Sequence, residues 1–205
     1  NRGLERRMAS SKIGRFKPLP EFDWQWPKKI DREVIEDLVL LKFIKDVTNV
    51  ILFGPNGVGK TMIAKNIAHQ AVIQGFDVLF TTASDLLKEL TTQDGAVALS
   101  RKIRYYVKPQ LLVIDEVGYL SYSNRHADLF FEIISQRYRT RATIVTTNKE
   151  FSEWIQIFPN ASCVVSMVDR LVHDSEIISI EAESYRLKEA TEQAEKRKAA
   201  RTKQK

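Results

Sequence analysis

Residues 54–61 read Gly54-Pro55-Asn56-Gly57-Val58-Gly59-Lys60-Thr61, the complete G-x-x-x-x-G-K-[ST] phosphate loop. Each residue type has a physical task. The glycines let the backbone curl until several N–H groups point inward at a β-phosphate. Lys60 places a compact positive charge near the β- and γ-phosphates, and Thr61 offers a hydroxyl to Mg²⁺. The helix that follows adds the positive end of its dipole. The flanks suit the motif. Asn49–Phe53 (NVILF) is a short apolar run of the kind that forms a buried parallel strand. Met62–Gln74 carries Ala, Ile and Val at helical spacing and stops at Gly75. A chance glycine-rich turn would not come with that strand, loop and helix. Gly54 through Met62 are therefore the expected nucleotide-binding stretch.

The second half of such a site follows about 55 residues later. Leu111–Ile114 is another apolar run, and it ends in Asp115-Glu116. A carboxylate at the end of a buried strand can reach a Mg²⁺ held by Thr61, so Thr61 and Asp115 are the expected metal ligands. Glu116 is then placed to polarise an attacking water as general base. Ala142–Thr146 is a further apolar run and ends in Thr147-Asn148. In P-loop ATPases with an inserted strand, a polar residue here lies between the two Walker motifs. Asn148 is thus the candidate to hold the lytic water or sense the γ-phosphate, with a simple turn-forming Asn as the alternative. An arginine presented to a neighbouring subunit can stabilise charge developing in phosphoryl transfer. Arg170 is the first candidate for that role, and Arg137, Arg139 and Arg141 are rivals that spacing alone does not exclude.

Around these motifs, strands and helices alternate. Asp31–Lys45 reads as one amphipathic helix capped by Asp31. Asp77–Thr81 reads as a strand, followed by a helix capped by Ser84 that runs to Leu90. Residues 91–100 read as a loop, and 100–106 as helical. Helices are also expected over 126–138, 154–158 and 164–173, and a last strand over 177–180. The alternation spans ~150 residues and argues for an α/β fold, with a mostly parallel sheet covered on both faces. Residues 1–27 lack sustained periodicity. Pro18, Pro20 and Pro27 punctuate them, with Phe16, Phe22, Trp24 and Trp26 between. They read as an extended arm whose aromatics pack on the domain; a stacking platform for single-stranded nucleic acid is the alternative. The expected organisation is an arm over 1–27, an ATPase domain over 28–190 and a basic tail over 191–205.

Bulk composition narrows the class. The chain has 205 residues, 43% of them hydrophobic, enough for one sizeable core. No apolar run approaches the ~20 residues that span a membrane, and no secretory signal is visible. Cys163 is the single cysteine, which excludes an internal disulfide framework and a cysteine zinc cluster and fits the cytoplasm. The formal charge is +6. Lys196, Arg197, Lys198, Arg201, Lys203 and Lys205 crowd the last ten residues, and Arg2, Arg6, Arg7, Lys12, Arg15 and Lys17 the first seventeen. Basic ends on an acidic middle point to a polyanion, nucleic acid above all, or to solvated tails.

Taken together, these motifs resemble the AAA+ class and, more narrowly, the IstB-like transposition helper ATPases and the related DnaC-type helicase loaders. The matching segments are Asn49–Thr61, Leu111–Leu120 (LLVIDEVGYL), ISQRY at 134–138, TIVTTNKEFSEW at 143–154, VDRLVH at 168–173, EIISI at 176–180 and SYR at 184–186. The Walker motifs are generic to the class; the later segments are more specific. The resemblance implies a P-loop AAA+ three-layer fold with a five-stranded sheet and a central P-loop strand. It implies ATP and Mg²⁺ as cofactors and ATP-driven self-association into a ring or helical oligomer. It further implies that Arg170 acts in trans and that Arg186 is a second sensor. Only 35 residues follow Arg170, too few for a separate full helical lid domain. The resemblance also implies a helical region at the N-terminus, of which Arg2–Trp26 would be the final stretch. DNA is expected between the second strand and the Asp115 strand. There Lys88, Arg101, Lys102, Arg104 and Lys108 interleave with Tyr105 and Tyr106, and such contacts would be salt-sensitive and sequence-tolerant.

The function so implied is that of an ATP-dependent helper that assembles on duplex DNA, recruits or activates a transposase, and is reset by hydrolysis. Helicase loading is the nearest alternative. A nucleotide kinase and an ATP-gated scaffold without catalysis are more distant ones.

Overall fold

The computed structural model describes residues 2–119, 121–159 and 161–202, with backbone alone at 161 and 198–202. Leu120 of the VGYL segment and Lys203 and Lys205 of the basic tail lie outside the described residues. In chain order the elements are α1 (Arg2–Ser11), α2 (Arg32–Val39), α3 (Lys42–Lys45), β1 (Asn49–Phe53), α4 (Lys60–Ile73), β2 (Val78–Thr82), α5 (Ala83–Thr91), α6 (Ala96–Val107), β3 (Leu111–Val117), α7 (Asn124–Arg137), β4 (Ala142–Thr147), α8 (Phe151–Ile157), α9 (Ala161–Val172), β5 (Ser175–Ser179) and α10 (Tyr185–Thr202). A short 3-10 turn, Leu19–Glu21, lies in the arm.

Five parallel strands form one sheet in the order β2-β3-β4-β1-β5. β4 is the middle strand; β1, which feeds the phosphate loop, is interior but next to the edge strand β5. The apolar runs are continuous because both sheet faces are covered. Alternation along the strands divides them between two cores. Val50, Leu52, Val113 and Ile144 pack toward α2 and α4, whereas Ile51, Leu112, Ile114 and Val145 pack toward α5, α7, α8 and α9. The result is the expected three-layer α/β architecture.

The boundaries differ from the sequence reading where tertiary contacts decide them. The arm opens with a helix, α1, whose Leu4 and Met8 share one face and pack on the core. Such a short helix gains its stability from docking rather than propensity. The single helix expected over 31–45 is two. Asp31 does cap α2, accepting from the Val34 amide at 3.0 Å. Leu41 then takes a left-handed φ of 64° and buries its side chain, 1% exposed. Burying a leucine gains about 1.5–3 kcal/mol, against about 1–2 kcal/mol for the left-handed backbone. Thr82, not Ser84, caps α5, accepting from the Asp85 amide at 3.0 Å. The expected loop over 91–100 is shorter, since α6 begins at Ala96. α10 runs unbroken through the 190/191 boundary expected between domain and tail.

Arg137, one of the rival arginines, is 1% exposed and therefore closed to a neighbouring subunit. Its guanidinium donates to the carbonyls of Tyr106, Val107, Pro109 and Ala142 and to Thr143 Oγ1, at 2.5–3.2 Å. It fastens the end of α6 to the start of β4. Arg137→Leu would strand several buried acceptors at ~1–3 kcal/mol each, so urea unfolding is expected to show a loss of roughly 3 kcal/mol or more; a loss below about 1 kcal/mol would contradict this role.

Candidate active site

The phosphate loop turns from the end of β1 into α4 and is gripped from both sides. Gly57 and Gly59 have φ of 78° and 100°, which L-residues rarely adopt. Space reinforces the requirement. A Cβ on Gly57 would lie 2.4 Å from Ser184 Oγ, and one on Gly59 2.5 Å from Phe22 Cε2. Lys60 is buried, 5% exposed, and its ammonium donates to the Gly54 and Pro55 carbonyls at 2.6 Å each. Burial lowers its pKa to about 8; Arg186 pushes the same way, whereas Asp115 and Glu116 oppose the shift.

The two Walker motifs meet at Asp115, itself 3% exposed. Thr61 Oγ1 lies 3.0 Å from each carboxylate oxygen, and Thr146 Oγ1 donates to Oδ1 at 2.5 Å. Thr61 and Asp115 are hard oxygen donors brought within one coordination sphere of each other, so the pair fits Mg²⁺. Glu116 is the exposed position of an otherwise buried β3. The strand does not stop at Ile114 as the sequence suggested but continues through a bulge to Val117. Glu116 takes a φ of 62° there and lines the cavity beside the loop.

That cavity has a volume of about 260 Å³. Its floor is Gly57 through Met62, with Glu116 and Tyr119 beside them. Its walls come from the arm, through Lys17, Phe22 and Trp26, and from the start of α10, through Tyr185, Arg186 and Glu189. The two walls are joined. Trp26 Nε1 donates to the Glu183 carbonyl at 2.9 Å, Lys188 pairs with Asp23 at 3.1 Å, and Lys17 with Glu189 at 2.9 Å. The Lys188 ammonium also lies 4.4 Å from the Trp26 ring centroid. Phe16, Phe22 and Trp24 pack on the core, the packing use expected of the arm's aromatics, whereas Trp26 lines the cavity.

Asn148 follows β4 at the same end of the sheet. Its Oδ1 is buried without a hydrogen-bond partner, an acceptor available to a donor entering the site. Asn56 is exposed at the outside of the loop. Arg186 is brought to the cavity, close enough to act on Lys60. Arg170 is not brought there. It lies on α9, donates to Ser135 Oγ and sits 4.6 Å from the Phe131 ring centroid on α7. Of the remaining rivals, Arg139 pairs with Asp174 at 3.8 Å.

The five expected DNA contacts divide. Lys88, Arg101, Arg104 and Lys108 are exposed on α5, α6 and the α6 C-cap. Lys102 is held by Glu89 at 3.1 Å and lies 5.1 Å from the Tyr105 ring centroid. Thr146, Trp26 and Tyr185 were not singled out as site residues. Each lies in a patterned stretch: Thr146 in the TTN run before Asn148, Trp26 among the arm's aromatics and Tyr185 in SYR.

The parallel order with β4 between β3 and β1, and the joined phosphate loop and Asp115, place the protein in the AAA+ class of P-loop folds. Solved structures agree. DnaI superposes with a TM-score of 0.67 at 22% identity, covering 82% of this chain and 93% of that one. The DnaC helicase loader gives 0.61 at 18%, covering 86% and 99%. AMPPCP-bound DnaA from Aquifex aeolicus gives 0.60 at 19%, covering 80% and 50%.

Sequence relatives narrow the class further. The chain belongs to the IstB-like ATP-binding protein family, whose family model matches residues 1–193. It is 37% identical to the insertion sequence IS5376 protein of Geobacillus stearothermophilus over 197 residues, 96% of this chain and 78% of the relative. It is also 37% identical to the insertion sequence IS21 protein of Pseudomonas aeruginosa, over 92% of this chain and 71% of the relative. Among the described residues no helix is long and apolar enough to cross a membrane.

The state of Lys60 gives a pH test. The lysine of a phosphate loop meets phosphate as its ammonium, and in the free protein the Lys60 proton is lost as pH rises through about 8. The Kd for Mg-ATP, measured calorimetrically, is expected to rise about tenfold between pH 7 and pH 9. A flat profile would contradict the depressed pKa.

Proposed function

We propose that this protein is a Mg²⁺-dependent ATPase that assembles on duplex DNA when ATP is bound. It then recruits or activates a transposase, and hydrolysis resets it. The observation that carries the reading is the convergence of Thr61, Asp115, Glu116 and the unpaired Asn148 Oδ1 at one end of the sheet. The insertion-sequence origin of the relatives supports the transposase as partner, and the cytoplasm as the place of action.

Each residue has a role in this scheme. The loop amides and Lys60 bind the β- and γ-phosphates. Thr61 and Asp115 would hold Mg²⁺, which would supply charge neutralisation at the phosphates. Glu116 takes the proton from the attacking water at its carboxylate. Asn148 Oδ1 accepts from that water and orients it. Arg186, beside Lys60, addresses the γ-phosphate. Arg170 is offered to the site of an adjoining subunit in a ring or helical oligomer, where its fixed charge stabilises the transition state. Lys88, Arg101, Lys102, Arg104 and Lys108 bind DNA phosphates without reading sequence.

Glu116→Gln separates binding from chemistry. Hydrolysis is expected to fall by about 100-fold or more while ATP affinity stays within about threefold. The variant should also accumulate on duplex DNA in Mg-ATP, seen by sedimentation. Normal hydrolysis by the variant would contradict the base assignment, and preferential assembly on single-stranded DNA would point to helicase loading instead.

A further inference from the structure

The bulge in β3 sets a problem that one side chain solves. Ile114 pairs with Val145 and Val117 with Thr147. Two residues of β3, Asp115 and Glu116, therefore stand opposite the single residue Thr146. In a regular strand these neighbours would point to opposite faces of the sheet. The extra residue breaks the alternation and re-aims a side chain. Asp115 stays buried against Thr61, and Glu116, at a φ of 62°, faces the cavity. A bulge also leaves a backbone group without its ladder partner. Here the Glu116 N–H donates to Thr146 Oγ1 at 2.9 Å, and the same hydroxyl donates its proton to Asp115 Oδ1 at 2.5 Å. Thr146 is 1% exposed, so its hydroxyl is shielded from solvent.

We infer that Thr146 is a positioning residue that couples the two acidic groups. Its hydroxyl fixes the orientation of the Asp115 carboxylate and, through the Glu116 amide, the backbone that aims the Glu116 carboxylate. Its hydroxyl is taken up by these two residues, and it acts through them. The inference rests on the ATPase reading for its kinetic consequence, and on geometry alone for the arrangement. Valine has nearly the same shape and is favoured in strands, but it has no hydroxyl. Serine keeps the hydroxyl and loses the methyl.

Thr146→Val and Thr146→Ser are compared with the wild-type chain in three measurements. Amide hydrogen exchange at Glu116 is expected to accelerate about tenfold or more in Thr146→Val and to stay near wild type in Thr146→Ser. The Mg²⁺ concentration that half-maximally enhances ATP binding should rise about 10-fold or more in Thr146→Val, as for other groups that orient a metal ligand. Under turnover, kcat should drop about 10- to 100-fold in Thr146→Val with KM little changed, and Thr146→Ser should restore most of it. Equal impairment of both variants would assign the effect to packing and overturn the inference, as would wild-type exchange and Mg²⁺ response in Thr146→Val. The first two readouts need no hydrolysis. Those shifts in Thr146→Val, together with no turnover by the assembled wild-type protein, would uphold the positioning role while refuting the ATPase reading.

Discussion

The carboxylate of Asp115 is the meeting point on which the site depends. It is buried and receives hydroxyls from two different elements, Thr61 at the start of α4 and Thr146 near the end of β4. A buried carboxylate is tolerable only when it is well supplied with donors. Those donors also do structural work, because they bind the phosphate-loop helix to β3 and β3 to β4 at the end of the sheet where the cavity opens. The parallel topology makes this meeting possible. β1 and β3 deliver their C-terminal ends to the same edge of the sheet, and β4 between them carries Thr146 and Asn148 to that edge as well. Lys60 is under the opposite constraint. Its ammonium donates to two loop carbonyls, yet burial, with Arg186 adding to it and Asp115 and Glu116 opposing, lowers its pKa to about 8.

A second constraint is the closure of the arm and the start of α10 over the loop. The arm and the start of α10 are held together by Trp26 with Glu183, Lys188 with Asp23 and Lys17 with Glu189. Ion pairs near the surface are individually weak, and half-buried packing contacts give the closure its shape. Phe22 against Gly59 and Ser184 against Gly57 leave no room for a side chain on the loop. The loop's glycines therefore answer to tertiary packing as well as to backbone curvature. In the same way Arg137 answers to four carbonyls of the α6–β3 and β4 segments rather than to a phosphate.

What was legible in the sequence was local. The phosphate loop, the apolar strands, the Asp115-Glu116 pair and the family segments from LLVIDEVGYL to SYR are contiguous patterns, and they led to the α/β class and the family. What was not legible depends on residues distant in sequence. The helix of the arm forms because Leu4 and Met8 find the core. The break at Leu41 reflects burial outweighing backbone preference. The continuation of β3 past Ile114 depends on its partner β4, and Asp115-Glu116 at a strand end could not reveal the bulge. Thr146 reads as one more strand threonine until its neighbours across the sheet are known. The arginines show the limit most clearly. Arg137, Arg139, Arg141 and Arg170 carry the same charge within a short span, yet their burial and partners separate the first from the others.

Within one chain the fold brings the phosphate loop, Thr61 with Asp115, Glu116 and the buried Asn148 Oδ1 to one end of the sheet. Arg170 lies elsewhere, on α9 over Phe131. On the proposed reading the site is completed only by an adjoining subunit. The most direct measurement is phosphate release per chain at saturating Mg-ATP over a wide range of protein concentration, with assembly followed in parallel by sedimentation. The account predicts that the rate per chain climbs as subunits associate and levels off when association is complete. A rate per chain that stays constant from dispersed subunits to full assembly would contradict it.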